Sequence, residues 1–539
     1  MDAVPPSVSA VAAPPVPSLA GKREWIGLAV IALPCLLYSM DLTVLNLAVP
    51  HLSADLQPTS AQLLWIVDIY GFFVAGSLIT MGTLGDRIGR RRLLLIGAAA
   101  FGLVSVLAAF SNSAGTLIAS RALMGVAAAT LAPSTLSLIR NMFPDPRQRT
   151  FAIGVWVTSF SAGGAIGPLI GGIMLEYFWW GSVFLINVPV MLLLLALGPV
   201  LLPEFRDPDA GRLDIASAGL SLAAVLAVIY GLKQLAQHGV GWPPALSILA
   251  GVAIGALFVR RQRSLAHPLI DLGLFRIPQF SASLATNILG FFAAFASFLF
   301  TGQYLQLVIG LSPLEAGLWS LPSAVGFIAG SMLTPTAVGK VRPAYLMAAG
   351  LLLAGCGFGA LAFAGGGPAL AIVVTGSILF SLGLAPVFTL TTDLTVGAAP
   401  PERAGSASAM AETSSEFGGA AGIAILGSIS TAIYRSRMAE GIPDGLSPEA
   451  AEAARDTIGS AVAAAHRHAG VIGDGLLTTA REAFTLAFQT VSAFSAVVMV
   501  GVAIMVVILL RKVPPAAPGE KEPEGADVAA LAPNGSPAA

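Results

Sequence analysis

LLWIVDIYGFFVAGSLITMGTLGDRIGRRRL, residues Leu63–Leu93, is the stretch from which the fold is read. Its first part stays apolar for about twenty residues, enough at ~1.5 Å rise per residue to cross a bilayer core of about 30 Å. One carboxylate, Asp68, interrupts it. The stretch is expected to end in a turn of Gly82, Gly85 and Gly89 that carries Asp86, Arg87, Arg90, Arg91 and Arg92. A spanning helix with an acid inside it, followed by a tight basic loop, points to ion-coupled transport.

The rest of the chain has the composition such a helix requires. Of 539 residues, 56% are hydrophobic and 11% charged, with a mean hydropathy of +0.83; a soluble domain carries roughly a quarter charged residues. A polytopic, all-α membrane protein follows. The net charge of −1 says little, because charge in such a chain is sorted by loop. Cys35 and Cys356 lie inside apolar segments and read as small hydrophobes, not as a disulfide or a metal site. A GxxxxGK[ST] phosphate loop does not occur, so ATP hydrolysis is not expected and the energy must come from an ion gradient or from the substrate's own gradient. Neither an enzyme nor a nucleic-acid binder is expected, and no cofactor beyond a coupling proton.

Fourteen hydrophobic segments are expected, near 25–49, 60–84, 93–110, 115–138, 150–175, 181–202, 213–235, 243–260, 283–306, 313–336, 343–364, 368–395, 404–432 and 483–510. The seventh and eighth are punctuated by Lys233, Trp242 and Pro243. Lys and Arg cluster at 87–92, at Arg140, Arg147 and Arg149, at Arg206 and Arg212, at 260–263, and at Lys340 and Arg342, while the short opposite loops hold none. By the positive-inside rule both termini face the cytoplasm. The loop 433–482 carries five arginines on the other side, which a long loop tolerates. Within it, Ser447-Pro448-Glu449 reads as a helix start, and the Ala-rich run to His468 as part of a helical hairpin outside the membrane. His466 and His468 are read as a solvated helix face.

Intramembrane ionisable residues are costly, at least ~2.5–3.5 kcal/mol on insertion scales, and are functional by default. Asp41 lies deep in the first segment and Arg121 in the fourth; simple rise places them about 24 and 21 Å above the cytoplasmic edge, so they can meet. Protonating Asp41 would release Arg121, which gives the pair the two states of a proton switch. Asp68 sits between Trp65 and Tyr70, a setting that offers a lipophilic cation Coulomb attraction and ring faces together. Glu412 and Glu416 are spaced i, i+4 on the thirteenth segment and are expected to share a proton that a cation can displace. In the fifth segment, SAGGAIGPLIGG places Gly163, Gly167, Gly171 and Pro168 where helices approach closely and kink. Asp393 is read either as functional or as an interfacial partner of Arg403.

These motifs carry a family resemblance. GxLGDRxGRRR at 82–92 resembles the loop between helices 2 and 3 of the major facilitator superfamily, and LxxxRxxxG at 117–125 is similar to its helix-4 motif. MDLTVLNLAVP at 40–50, GxxxGPxxGG at 163–172 and WGSVFLINVP at 180–189 resemble the fourteen-helix drug:proton antiporters, and the acid at Asp68 with Glu412 and Glu416 resembles the quaternary ammonium exporters of the QacA/SmvA type. That resemblance departs at 323–327, SAVGF, where the subgroup can carry an acid. It implies two six-helix halves (25–202 and 283–510), two inserted helices and a linker (203–282), an extracellular hairpin (433–482) and disordered cytoplasmic tails (1–24 and 511–539). It further implies a monomeric proton-coupled antiporter in a bacterial cytoplasmic membrane that exports lipophilic cations. Asp41 and Arg121 would couple protons. Asp68, Glu412, Glu416, Trp65 and Tyr70 would bind substrate. Asp86, Arg87, Gly89, Arg90, Gly167 and Pro168 would gate. The alternative is export of a self-made antibiotic or other neutral metabolite by the same fold.

Overall fold

The computed structural model describes residues 19–207, 213–265, 267–366, 368–443, 446–467 and 470–514. Most of both expected tails, Arg212, His468 and the side chains of Asn46 and Pro168 lie outside the described residues. Within them the chain is a succession of long helices: α1 Lys22–Leu56, α2 Ser60–Ile88, α3 Arg90–Ala109, α4 Ala114–Met142 (broken at 129–130), α5 Pro146–Tyr177 and α6 Ser182–Leu201. There follow α7 Ile215–His238, α8 Trp242–Gln262, α9 Pro278–Gln303, α10 Pro313–Val338, α11 Pro343–Leu361, α12 Ala369–Ala398, α13 Ala404–Gly441 and α14 Val471–Leu510. Among the described residues, thirteen stretches are long and apolar enough to cross a membrane; α5 takes the remaining place in the expected series of fourteen. The first helix starts earlier than expected. Lys22–Glu24, assigned to the tail, form its first turn, where Glu24 accepts the Gly21 N–H at 2.8 Å.

The helices form two bundles, each with its own core. One is built around Ile31, Phe101, Leu136 and Phe184, the other around Phe358, Phe380 and Phe488. Large apolar side chains such as Leu103 and Val497, each 70% exposed, point outward; in lipid such a surface costs nothing, because acyl chains are as apolar as leucine. The bundles meet along two seams, α2 against α13 and α5 against α10.

The inserted pair α7–α8 packs as a hairpin. Arg261 on α8 donates twice to Asp214 at the start of α7, at 2.7 and 3.1 Å, and Ser217 donates once at 2.6 Å. Those bonds hold the Asp214 carboxyl well below the usual carboxylate range. The hairpin lies over the α2–α13 seam. Ile229 meets Phe72 and Ala75 of α2, and Leu232 meets Ala421 and Ala424 of α13.

One expectation about local structure is corrected. Gly82 and Gly85 are not turn residues, since α2 runs through both to Ile88 and only Gly89, at φ 110°, breaks it. The Ala-rich run, expected as part of a helical hairpin, is two helices, Pro448–Asp456 and Ile458–Arg467, parted by extended Thr457. Ser447 caps the first, accepting the Ala450 N–H at 3.2 Å, as its sequence suggests. Tyr434 donates to Ala454 O at 3.0 Å and so fixes that helix to α13.

Candidate coupling and binding site

Glycines bring α5 close against α1 along Leu36, Met40, Thr43 and Val44. A Cβ on Gly167 would stand 2.2 Å from Thr43 Oγ1, and one on Gly163 would stand 2.1 Å from Leu36 O, so only glycine permits this approach. Asp41 and Arg121, both buried, form an ion pair. The guanidinium also donates from Nε to Ile66 O at 3.2 Å and lies 4.7 Å over the Tyr70 ring and 5.9 Å over Phe184. Arg121 is thus tied to α1, to α2 and to two rings at once. Taking away its carboxylate partner leaves a buried, uncompensated charge, at a cost of about 3–5 kcal/mol. The expected meeting of Asp41 and Arg121 is what the structure contains. Tyr70, assigned to substrate, is instead fully buried against Arg121.

Asp68 faces the other side of α2. It is ion-paired with Lys233 of α7, whose ammonium lies 4.7 Å over the Phe72 ring. Trp65 stacks on Tyr230 at 6.5 Å with the planes 8° apart, and Phe72 touches both rings. Lys233, Tyr230 and Phe72 were not among the expected site residues. A lysine within a spanning segment is the signal that marks them, by the rule that applies to Asp41.

Glu412 and Glu416 both face α1. Glu416 accepts from the Tyr38 hydroxyl at 2.9 Å, across the two halves. Glu412 lies near Cys35 and Tyr38 and makes no hydrogen bond or ion pair among the described residues. The two glutamates are therefore not hydrogen-bonded to each other as a proton-sharing pair would be. Tyr38 takes one of them, and the other is left open. Lys233 lies close enough to Glu416 for the two charges to act on each other, so Asp68, Glu412 and Glu416 form one acidic region between the halves.

Hydrogen bonds between the halves cluster at the end that carries the basic loop. Asp86 accepts the backbone N–H groups of Gly405 and Ser406, each at 2.9 Å, at the N-terminus of α13. A carboxylate there meets two unsatisfied donors and the positive end of the helix dipole. Arg90 donates to Asp86 at 3.0 Å and to Pro401 O and Glu402 O at 2.6 and 3.1 Å. Arg87 donates to His267 O at 3.4 Å in the linker. The expected Arg403 partner of Asp393 is corrected: Asp393 accepts from Arg149 and from Thr150, both at 2.7 Å, whereas Arg403 pairs with Asp271. Asp393 thus joins α12 to α5 as a second interhalf tie. Arg23 donates to Val200 O and Arg342 to Arg511 O, so both described chain ends lie at this same face.

The family model described as Major Facilitator Superfamily matches residues 31–423. The chain is 42% identical over 490 residues to the multidrug efflux pump LfrA of Mycolicibacterium smegmatis, covering 91% of this chain and 97% of that one. It is 35% identical to the methyl viologen resistance protein SmvA of Salmonella typhimurium, covering 86% and 93%. In fold it is similar to the human organic anion transporter MFSD10, with a TM-score of 0.57 at 14% identity, over 88% of this chain and 99% of that one.

Proposed function

Because the chain belongs to the major facilitator superfamily, and is a multi-pass membrane transporter, not an enzyme, we propose that it exports lipophilic cationic drugs and biocides from the cytoplasm in exchange for protons. The observation that carries this reading is the division of its intramembrane ions. Asp41 and Arg121 form a closed pair on one side of Tyr70, while Asp68, Glu412 and Glu416 form an acidic region bordered by rings on the other. The multidrug and methyl viologen names of two similar proteins support a cationic cargo. Protons bind the first group and cations the second, and the halves rock about the region between them. With the basic loops on the cytoplasmic side, the ties of Asp86, Arg90 and Asp393 close that side. The protein acts as a monomer in the cytoplasmic membrane of a bacterium. In vesicles containing only this protein, an imposed proton gradient should drive ethidium against its own gradient. Ethidium movement indifferent to the gradient would overturn the coupling, and transport of neutral metabolites alone would favour the alternative cargo.

Two further results are expected. Asp86→Ala should slow turnover about tenfold or more while changing ethidium affinity little, since each charge-assisted hydrogen bond lost is worth about 1.5–3 kcal/mol to the closed state. A binding isotherm beside a transport rate decides it, and affinity that collapses in step with transport would remove the gating role. Glu412→Gln should weaken resistance to divalent cations several-fold more than resistance to ethidium, because Glu412 is the acid left open for a second positive charge. Inhibitory concentrations for both classes measure it; equal losses would assign Glu412 to coupling or folding.

A further inference from the structure

Resting on the cation-export reading, we infer that Lys233 is a tethered competitor: its ammonium fills the Asp68 carboxylate site when no substrate is present, and a cationic substrate must displace it. Four observations carry this. The ammonium is ion-paired with Asp68 and lies 4.7 Å over Phe72, so it occupies both the charge and a ring face that a foreign cation would use. The stacked Trp65 and Tyr230 rings complete the border of that site, one from each helix. The Lys233 side chain is 36% exposed and that of Asp68 23%, so the pair is reachable, unlike the sealed Asp41–Arg121 pair. Lastly, Lys233 comes from the inserted helix, which lies over the α2–α13 seam, so displacing it need not disturb the core of either half.

The chemistry gives the competition a direction. A primary ammonium is compact and strongly hydrated, and it gains on release into water. A quaternary or delocalised cation is weakly hydrated and holds better to a carboxylate bordered by rings. The site therefore admits lipophilic cations and resists small hydrated ones, whose affinity is not enough to evict the lysine. Lys233 is in this sense a specificity-determining residue. If the pair is formed about nine-tenths of the time in the free protein, removing the lysine tightens binding about tenfold.

The test uses the purified full-length protein with ethidium as the probe. Lys233→Gln should bind ethidium about tenfold more tightly, and Lys233→Gln with Asp68→Asn should lose the gain. Lys233→Arg, whose guanidinium is more weakly hydrated and stacks on rings, should bind it no more tightly than the wild type. A second readout needs no substitution. Lys233 is one of five lysines in the chain, so its labelling by an amine-reactive reagent can be followed by mass spectrometry. Saturating ethidium should raise that labelling several-fold, as should Asp68→Asn without ethidium. Unchanged or weaker binding in Lys233→Gln, or labelling that ethidium leaves unchanged or lowers, overturns the inference. If the wild type binds ethidium through Asp68 while Lys233→Gln gives no gain, only the tethered competitor fails. If no variant binds ethidium, the cation-export reading falls and takes the competitor with it.

Discussion

Asp41→Asn is expected to reduce proton-driven transport of every substrate by at least about a hundredfold while the protein still folds and inserts. Asparagine keeps the shape and one acceptor oxygen, and Arg121 keeps its bond to Ile66 O and its place over Tyr70. What disappears is the carboxylate that faces Arg121 and can take up and release a proton. The variant resembles the permanently protonated state, with a charge whose loss of partner costs about 3–5 kcal/mol. Substrate exchange across a membrane without a gradient does not need that cycle and should survive. The measurement is therefore paired, ΔpH-driven accumulation against ethidium exchange. Full ΔpH-driven activity in the asparagine variant would sink the coupling role, and loss of both activities would make Asp41 a structural residue.

Gly82→Val should be nearly as severe, for a steric reason. A Cβ at Gly82 would stand 2.5 Å from both Ala409 Cβ and Gly405 O. Both neighbours belong to α13, and one is backbone, so neither can step aside alone. Valine must push the helices apart, and the Asp86 bonds to Gly405 and Ser406, made at 2.9 Å a turn away, cannot survive that separation. The basic end then stays open and turnover should fall about fiftyfold or more, with ethidium binding retained. Thiol labelling of Ser406→Cys, in a background where Cys356 is replaced by serine, reports the opening. Ser406 is buried in the closed protein and should become reactive in the valine variant. Normal transport by Gly82→Val would show that the α2–α13 contact need not close.

The parts of this site that the bilayer penalises were legible in the chain. Asp41, Arg121, Asp68 and the two glutamates stand out because each charge inside an apolar segment needs a reason. Their partners were much harder to read. Asp393 was matched with Arg403, ten positions on, but its carboxylate goes to Arg149 and Thr150, more than 240 residues away in sequence. Lys233 read as punctuation in a hydrophobic run because its acid lies 165 residues before it. Gly82 and Gly85 read as a turn because glycine serves turns and close helix contacts alike, and only the facing helix tells the two apart. Likewise, i, i+4 spacing places Glu412 and Glu416 on one face, but Tyr38 on another helix decides which of them is occupied.

The length of α13 has a mechanical consequence. Its 38 residues form one rod, about 57 Å long, from the Asp86 tie past both glutamates to the outer hairpin. Near its middle, Gly418 and Gly422 press so closely on Ile288 O and Phe292 O of α9 that a Cβ would stand 2.4 and 2.0 Å from them. That contact holds α13 to α9 of its own half, so in the proposed rocking cycle the rod turns with that half. From Gly418 to Gly441 the outer arm is about 35 Å long, so a tilt of about 10° moves its tip by about 6 Å. Tyr434 couples that arm to the helix Pro448–Asp456, so the hairpin rides on the rod. On the cycle proposed above, the hairpin is the far arm of a lever whose short arm is the Asp86 latch, and a binder that clamps the hairpin is expected to stall transport without touching any charged residue in the membrane.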